Sequence, residues 1–242
     1  MTGASVGLGA AIAEALARDG FDLFITGTRI ENVAGTSARI EAAGVQVHAA
    51  ALDVRSVKSI DAAFARAVDR FGAIDVLVNN AGVALNKMVV DVTPQEWENV
   101  LATNVSGTFF MSQAMGRHLI EQGRPGLIIN VGSTHGIVGY AKRGVYGISK
   151  AAVMHMTRML AIEWAEHGIR VNAIAPGRVE TPSRQADGVN DPQTLERALK
   201  RVPLGRFCSL DDVAAAVSYL ASPQAAYITG HTLVLDGGVT VA

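Results

Sequence analysis

Residues 2–9 read T-G-A-S-V-G-L-G, and an alanine-rich stretch of helical period follows them directly. Gly3, Gly7 and Gly9 would let the backbone turn tightly and come close to a ligand. The first turn of the following helix offers unpaired N–H groups and a partial positive charge, which suit a pyrophosphate. An ordinary glycine-rich turn explains the same letters equally well, so the pattern gains weight only from the rest of the chain.

The rest of the chain alternates short apolar runs with longer stretches of helical period. Most of the short runs contain no alternating polar residues, as expected of parallel strands that are covered on both faces. This order predicts an α/β fold in which residues 1–242 form one domain around a doubly wound parallel sheet. The predicted strands are residues 21–26, 45–52, 74–78, 127–131, 169–174 and 232–235. The predicted helices are residues 7–19, 30–43, 57–71, 94–122, 145–167, 192–201 and 210–221.

The composition is that of a globular protein with a sizeable core: 49% of the 242 residues are hydrophobic and the mean hydropathy is +0.26. With 21 Lys and Arg against 22 Asp and Glu, the charge balance favours neither nucleic acid nor an anionic membrane as partner. No apolar stretch is as long as a membrane helix, and no signal peptide is evident. The single cysteine, Cys208, cannot form an internal disulfide, so we expect a cytoplasmic protein.

Tyr146 and Lys150 lie four residues apart in Y-G-I-S-K, where a helix is predicted to begin. Residues at this spacing share a helix face, which would place an ammonium near a phenol. A nearby positive charge lowers the pKa of a tyrosine towards the range that a general acid or base needs. Ser133 follows the predicted strand 127–131, at the sheet edge where open α/β folds bind ligands. Separately, these residues are also explained as a solvated helix face and a turn.

Together these features resemble the short-chain dehydrogenase/reductase family. The matching elements, in order, are the glycine pattern, N-N-A-G at residues 79–82, Asn104, Ser133, Tyr146 with Lys150, and P-G at residues 176–177. They span nearly the whole chain. The resemblance implies a Rossmann fold and an oxidoreductase that transfers a hydride between a nicotinamide cofactor and a carbonyl/alcohol substrate.

The resemblance also implies a role for each matching residue. Tyr146 would donate or accept the proton, and Lys150 would hold the nicotinamide ribose and lower the pKa of the tyrosine. Ser133 would bind the substrate oxygen, and Asn104 would order a water relay. The implied cofactor-binding residues are Gly3, Ser5, Gly7, Leu8, Gly9, Thr28, Arg29, Asp53, Val54, Asn80, Ala81, Gly82, Tyr146, Lys150, Pro176, Gly177, Val179 and Thr181.

The tail, residues 202–238, is similar to that of 3-oxoacyl-carrier-protein reductases and their many relatives. This similarity implies a small-molecule or acyl-thioester carbonyl substrate. It also implies a homotetramer, in which helices 94–122 and 145–167 pack against those of a neighbour and the C-terminal strand with residues 227–230 forms a second interface. Two alternatives stay open: an NAD-dependent alcohol, polyol or hydroxysteroid dehydrogenase, and a non-catalytic dinucleotide-binding scaffold.

The chain departs from the family pattern in two places. The first strand of the family, normally central in the sheet, would precede Thr2. We therefore expect either further apolar residues before Met1 or a visible defect in the sheet beside residues 74–78. In addition, Val6 stands where many NADP-using relatives carry Arg or Lys.

The residues after the predicted strand 21–26 indicate NADP rather than NAD. Folds that select NAD place an acid about 20 residues past the glycine motif, where it binds the ribose 2′-OH. Here Gly27, Thr28 and Arg29 stand in that place, and the first acid is Glu31. Arg29 offers a permanent charge and a fork suited to a 2′-phosphate. NAD stays an alternative because Val6 weakens the argument.

Residues 180–201 form a polar segment directly after the P-G pair, which predicts a substrate lid. Arg184, Arg197, Lys200 and Arg201 suit an anionic or phosphopantetheine-bearing substrate, although solvated surface charge explains them as well. His135, two residues past Ser133, is either a substrate contact or a turn residue. The six histidines show no spacing that indicates a metal site.

Overall fold

The computed structural model describes residues 1–181 and 192–242, in which six parallel strands form the centre of the molecule. Strand β4 pairs with β3 on one side and with β5 on the other, and β6 extends this part of the sheet. Strands β1 and β2 form a separate pair. The strands are β1 (Leu23–Gly27), β2 (Val47–Ala51), β3 (Val76–Asn79), β4 (Gly126–Val131), β5 (Ile169–Pro176) and β6 (Thr232–Leu235). The prediction of a single-domain α/β fold with a parallel sheet is confirmed.

Helices cover both faces of the sheet and bury its apolar side chains. The helices are α1 (Gly7–Arg18), α2 (Ala34–Glu41), α3 (Val57–Phe71), α4 (Pro94–Leu101), α5 (Gly107–Glu121), α6 (Gly144–Trp164), α7 (Pro192–Leu199) and α8 (Leu210–Ala221). One core cluster joins α1 and α8 to the sheet, with Leu16 and Val217 among its buried residues. A second cluster joins α3, α5 and α6, with Met115 and Leu160 among its members. Two layers of helices therefore enclose the strands, as a doubly wound fold requires.

The sheet is open between β1 and β3. Residues 1–4 connect the two parts: the amide of Thr2 donates to the Val78 carbonyl (3.0 Å) and the amide of Ala4 donates to the Thr26 carbonyl (2.9 Å). Towards the amino ends of the same strands lies a cavity of about 350 Å³. The Met1 amino group is buried at this cavity, and burial lowers its pKa to about 5. The defect expected beside residues 74–78 is therefore present.

Two predicted helices have a different internal structure. The helix predicted over residues 94–122 is interrupted by a π-helical segment, Ala102–Ser106, which separates α4 from α5. The helix predicted over residues 30–43 begins as a 3₁₀ turn, Ile30–Val33, before α2. In addition, much of the predicted lid, 180–201, lies outside the described residues, although α7 falls within it.

Candidate active site

The glycine loop brings the chain close to the start of α1. A Cβ on Gly9 would collide with the Gly3 carbonyl oxygen, and a Cβ on Gly3 would lie 2.9 Å from the Ala81 Cα. Gly3 also has a positive φ of 67°, which other residues rarely adopt. No side chain caps the N-terminus of α1, so its first N–H groups are available to an anion. The loop therefore has the shape and the donors of a pyrophosphate cradle.

A cleft of about 530 Å³ opens beside this loop, along the carboxyl ends of β1, β2 and β3. The predicted cofactor-binding residues that line it are Gly3, Ser5, Leu8, Gly9, Thr28, Asp53, Val54, Asn80, Ala81 and Gly82. The predictions for these residues came from separate stretches of sequence, and the fold brings them to one place. The cleft lies at the edge where open α/β sheets bind ligands.

Thr2 holds one wall of the cleft in position. Its hydroxyl oxygen accepts hydrogen bonds from the amides of Asn80 and Ala81, both at 3.1 Å. The Asn80 side chain in turn donates to the Gly3 carbonyl (2.7 Å). These bonds join the segment after β3 to the glycine loop, so the cleft keeps its shape although the sheet is open behind it.

Asp53 and Arg55 form a charged pair at the mouth of the cleft. The Arg55 guanidinium donates to both carboxylate oxygens of Asp53, at 2.9 and 2.8 Å, and to Asn99 Oδ1 at 3.3 Å. The hydrogen bond from Arg55 holds the pKa of Asp53 below its usual value. Asp53 is therefore a carboxylate whose charge is largely balanced before any ligand binds.

Thr28 and Arg29 lie at the end of β1. Thr28 lines the cleft, and its hydroxyl accepts a bond from Asn32 Nδ2 (3.3 Å), which leaves the hydroxyl proton to donate to a ligand. Arg29 is exposed and is not among the residues that line the cleft. It precedes the 3₁₀ turn Ile30–Val33 at the rim, next to Thr28. The only acid close to it in sequence, Glu31, is exposed as well and forms no ion pair within the described parts of the chain.

Lys150 is a buried ammonium between α6 and the end of β4. It is 5% exposed, and its Nζ donates to the Val131 carbonyl at 2.7 Å. No carboxylate of residues 1–181 or 192–242 forms an ion pair with it. Because burial removes water from the charge, the pKa of Lys150 falls to about 8. A Cβ on Gly82 would lie 3.5 Å from Nζ, so the ammonium adjoins the cofactor cleft.

Asn104 lies in the π-helical segment, and its side chain is fixed at both ends. The Nδ2 group donates to the Val83 carbonyl (2.9 Å) and to Ser149 Oγ (3.0 Å), while Oδ1 accepts from the Val83 amide (2.8 Å). Ser149 donates in turn to the Tyr146 carbonyl at 2.7 Å. Both amide protons of Asn104 are thus used, and Oδ1 keeps one acceptor position for a water molecule.

Ser133 and Tyr146 are both neighbours of His135. The Ser133 hydroxyl lies 3.1 Å from His135 Nδ1 and accepts a bond from the His135 amide (3.2 Å). The rings of His135 and Tyr146 meet edge to face with centroids 5.7 Å apart, and Lys150 Nζ lies 5.8 Å from the centre of the Tyr146 ring. The structure therefore brings Ser133, Tyr146 and Lys150 to one corner of the sheet edge, with His135 among them.

The segment after β5 contacts β6, Cys208 and the glycine loop. The Gly177 amide donates to the Leu235 carbonyl (2.9 Å), and Val179 forms a parallel bridge with Cys208. A Cβ on Gly7 would lie 3.7 Å from Thr181 Cγ2. Thr181 therefore lies beside the glycine loop. Pro176, Gly177, Val179 and Thr181 are not among the residues that line the cleft, and their contact with the cofactor stays a prediction.

Comparison with known proteins agrees with this geometry. The family described as Enoyl-(Acyl carrier protein) reductase matches residues 3–240. The 3-oxoacyl-[acyl-carrier-protein] reductase FabG of Vibrio cholerae is 40% identical over 239 residues, which cover 99% of this chain and 95% of the relative. A short-chain type dehydrogenase/reductase from Mycobacterium marinum has a TM-score of 0.94 at 30% identity and covers 100% of this chain, with 94% of its own chain matched. The chain belongs to the short-chain dehydrogenase/reductase family.

A second solved relative is a gluconate 5-dehydrogenase from Burkholderia cenocepacia J2315, in complex with NADP and tartrate. Its TM-score is 0.93 at 34% identity, with 100% of this chain and 94% of that chain covered. As a member of this short-chain dehydrogenase/reductase family, the chain is an NAD(P)-dependent oxidoreductase. The names of its relatives refer to different substrates, so membership defines the chemistry and leaves the substrate open.

Three residues of this short-chain dehydrogenase/reductase site were missed by the sequence analysis: Thr2, Arg55 and Ser149. Each acts through partners that are distant in sequence or through a side chain whose direction the pattern does not give. The position of Ser149 one residue before Lys150 was the only available signal. The sequence therefore predicted residues that line the cleft and overlooked residues that hold the cleft and Asn104 in position through hydrogen bonds.

The described residues contain neither a candidate membrane-spanning helix nor a candidate metal-binding cluster. Within residues 1–181 and 192–242, no helix is both long and apolar enough to cross a membrane. The same residues contain no group of three or more His, Cys, Asp or Glu placed to hold a metal ion. The cytoplasmic location stays a prediction.

The buried charge of Lys150 predicts a gain in stability when it is removed. Below pH 8 the ammonium is charged in both the folded and the unfolded chain, so its burial costs the fold up to about 3 kcal/mol, the free energy of a pKa change from 10.5 to about 8. We expect Lys150→Met to raise the free energy of unfolding at pH 7 by about 1 to 3 kcal/mol, a gain that is reduced because the Val131 carbonyl loses its hydrogen bond from Nζ. Urea unfolding at fixed protein concentration measures this.

The pH dependence separates this cause from simple repacking. Between pH 8 and pH 10.5 the folded parent loses the Lys150 proton before the unfolded chain does, so the stability of the parent rises and the advantage of Lys150→Met shrinks. Lys58→Met, at an exposed lysine in the first turn of α3, is the control and should change stability by less than about 0.5 kcal/mol. A Lys150→Met chain less stable than the parent at every pH would contradict the argument.

Proposed function

We propose that the chain is an NADPH-dependent ketoreductase, of the type that reduces 3-oxoacyl groups. The observation that carries this is the corner formed by Ser133, Tyr146 and Lys150 beside a cleft with a pyrophosphate cradle. A nicotinamide cofactor in that cleft supplies the hydride. The protein supplies binding, orientation and the proton.

The proposed roles follow from the contacts of each side chain. Ser133 donates its hydroxyl proton to the carbonyl oxygen of the substrate, with His135 Nδ1 fixing the direction of the hydroxyl. Tyr146 gives the proton to the same oxygen as the alcohol forms. Lys150, next to Gly82, binds the ribose and keeps positive charge near the phenol. Asn104 holds the helical turn from Tyr146 to Ser149 through its bond to Ser149, and it accepts a bond from the water that returns the proton.

The scaffold alternative receives no support from these contacts, since a chain that only binds a dinucleotide has no need for a buried lysine near a tyrosine. The oxidative alternative uses the same residues in reverse, with Tyr146 as the base. Because the same residues serve both directions of the reaction, its direction depends on which substrate the enzyme uses. The names of the relatives, a 3-oxoacyl-carrier-protein reductase and a gluconate 5-dehydrogenase, keep both an acyl thioester and a small polar ketone among the candidates.

The preference for NADP rests on the rim at the end of β1. Glu31 is exposed in the 3₁₀ turn and does not line the cleft, so no carboxylate takes the place that would repel a 2′-phosphate. Thr28 has a hydroxyl proton to donate, and Arg29 is close enough in sequence to turn its guanidinium over the same position. The relative from Burkholderia cenocepacia is in complex with NADP, which supports the same choice.

The proposed homotetramer is supported by apolar side chains that the single chain leaves exposed. Ile162 on α6 is 81% exposed, and Ile148 and Met159 on the same helix are exposed as well. Tyr227, at the second expected interface, is fully exposed. Neighbouring copies would cover both patches. Light scattering at micromolar concentration should give about four times the chain mass of 25.3 kDa, and a monomer mass would contradict the assembly.

The enzymatic proposal is tested by cofactor oxidation over a panel of ketones: 3-oxoacyl thioesters, keto acids, keto sugars, ketosteroids and diketones. We expect turnover with NADPH for at least one class and a kcat/KM for NADPH at least about tenfold above that for NADH, because one charge-assisted bond to a 2′-phosphate is worth about 1.5 to 3 kcal/mol. Arg29→Ala should remove most of this ratio by weakening NADPH alone.

Arg124→Ala is the matched control, since Arg124 pairs with Asp75 at the amino edge of the sheet, away from the cleft. Its cofactor ratio should equal that of the parent. An NADH preference in the parent, or an unchanged ratio in Arg29→Ala, would show that the 2′-phosphate lies elsewhere. Binding of NADPH without turnover of any ketone would favour the scaffold.

A further inference from the structure

A second cavity is lined by His135, the residue that contacts both Ser133 and Tyr146. It has a volume of about 340 Å³, and its lining includes His135, Tyr140 and Gly177. His135 contacts Ser133 through Nδ1 and Tyr146 through its ring, while Gly177 follows the strand end that faces the cofactor cleft. A substrate whose carbonyl reaches Ser133 and Tyr146 can therefore extend the rest of its length into this cavity.

The walls of this cavity carry an excess of positive charge. Five arginines line it against one carboxylate, Asp236: they are Arg143, Arg178, Arg197, Arg201 and Arg206. The carboxylate of Asp236 already accepts hydrogen bonds from the amides of Gly238 (2.9 Å) and Thr240 (2.7 Å). Cys208 adds no negative charge, because burial raises the pKa of its thiol to about 11. Among the described residues that line this cavity, arginines therefore outnumber carboxylates.

The arginines of the cavity differ in how their charge is used. Arg206 is neutralised by Asp212, whose two carboxylate oxygens accept bonds of 2.6 and 3.1 Å. Arg201 forms no ion pair with any carboxylate in the described part of the chain. The carbon of its guanidinium lies 5.1 Å from the centre of the Tyr140 ring, and the Tyr140 and His135 rings pack at a tilt of 40° with their centroids 4.5 Å apart.

These contacts connect Arg201 to the corner formed by Ser133, Tyr146 and Lys150. A guanidinium this close to an aromatic ring is attracted to the ring, and this contact uses none of the five N–H donors of its planar fork. The chain of contacts Arg201, Tyr140, His135 and Ser133 therefore links a cationic fork to the hydroxyl proposed to hold the carbonyl. Two such N–H groups match the two oxygens of a carboxylate.

We propose that this cavity binds a carboxylate of the substrate through Arg201, so that the enzyme reduces keto acids and oxidises the corresponding hydroxy acids. This substrate class rests on the ketoreductase function proposed above. Of the acyl thioesters and polar ketones named there, it selects ketones that carry a free carboxylate. A free carboxylate on the substrate would form an ion pair with the guanidinium of Arg201. A thioester in the same position presents a neutral carbonyl and leaves the charge of Arg201 without a counter-ion.

The test compares acids with neutral analogues that differ only in charge. The probes are 4-oxopentanoate, 5-oxohexanoate and 6-oxoheptanoate with NADPH, each beside its methyl ester. For at least one chain length we expect kcat/KM to be about tenfold or more higher for the acid, because an arginine–carboxylate bond is a charge-assisted one. In Arg201→Gln this ratio should fall to about 1 through a higher KM for the acid, with the ester changed by less than about threefold.

Two further variants distinguish a specific hydrogen-bonded pair between Arg201 and the carboxylate from a general electrostatic attraction by all the arginines of the cavity. Arg201→Lys keeps the charge and loses the planar fork, so we expect an intermediate ratio. Arg206→Gln removes a cation from the same wall that Asp212 already balances, and we expect it to keep most of the acid preference. An equal loss in Arg206→Gln would mean that only the net field matters, which would overturn the assignment to Arg201.

The remaining outcomes are also informative. Inorganic phosphate that competes with the acids more strongly than succinate does would show a phosphate subsite and overturn the carboxylate assignment. Reduction of the esters without preference for any acid, or a ratio unchanged in Arg201→Gln, would refute the keto-acid proposal and leave the ketoreductase intact. Turnover of no ketone in the whole panel would refute both.

Discussion

The burial of the Lys150 ammonium is the constraint on which the site depends. A charge with 5% exposure and one carbonyl partner costs stability, so its surroundings must hold it in place. Helix α6 supplies the side chain and the last residue of β4 supplies the carbonyl. The same helix places Tyr146 one turn earlier, and Gly82 leaves the space through which the ammonium meets the cofactor cleft. Function here is obtained at the expense of stability.

The regular elements were predictable because their causes are local. Helix α3 (Val57–Phe71), helix α8 (Leu210–Ala221) and strand β6 (Thr232–Leu235) have the predicted bounds, since capping residues and apolar periods mark their ends. The π-helical segment Ala102–Ser106 was not predictable. It is associated with the bonds that Asn104 makes to Val83 and Ser149, which are 21 and 45 residues away in sequence. The spacing of apolar residues, from which the helix was predicted, does not indicate such distant hydrogen-bond partners.

The residues of the site also fall into those that the sequence predicted and those that it did not. The glycine loop and the i, i+4 pair were found from the residues themselves, because glycines and helical spacing have fixed meanings for a backbone. The cleft residues Asp53, Val54 and Asn80 to Gly82 were found through the resemblance to the family. Of the arginines that line the second cavity, the sequence suggested only Arg197 and Arg201. Arg143 and Arg178 come from separate segments and were not predicted. Thr2 had no signal beyond being a threonine near a glycine, yet its hydroxyl joins the segment after β3 to the glycine loop across the open sheet.

The most direct test of this account determines the source of the hydrogen that is added to the carbon and to the oxygen of the substrate carbonyl. With NADPH deuterated at C4 and the best ketone of the panel, the deuterium should appear on the carbinol carbon and a solvent proton on the oxygen. Tyr146→Phe should lower kcat for this transfer by about 10² to 10⁴ while NADPH affinity changes by less than about threefold. Near-parent turnover in Tyr146→Phe, or solvent hydrogen on the carbinol carbon, would contradict the account.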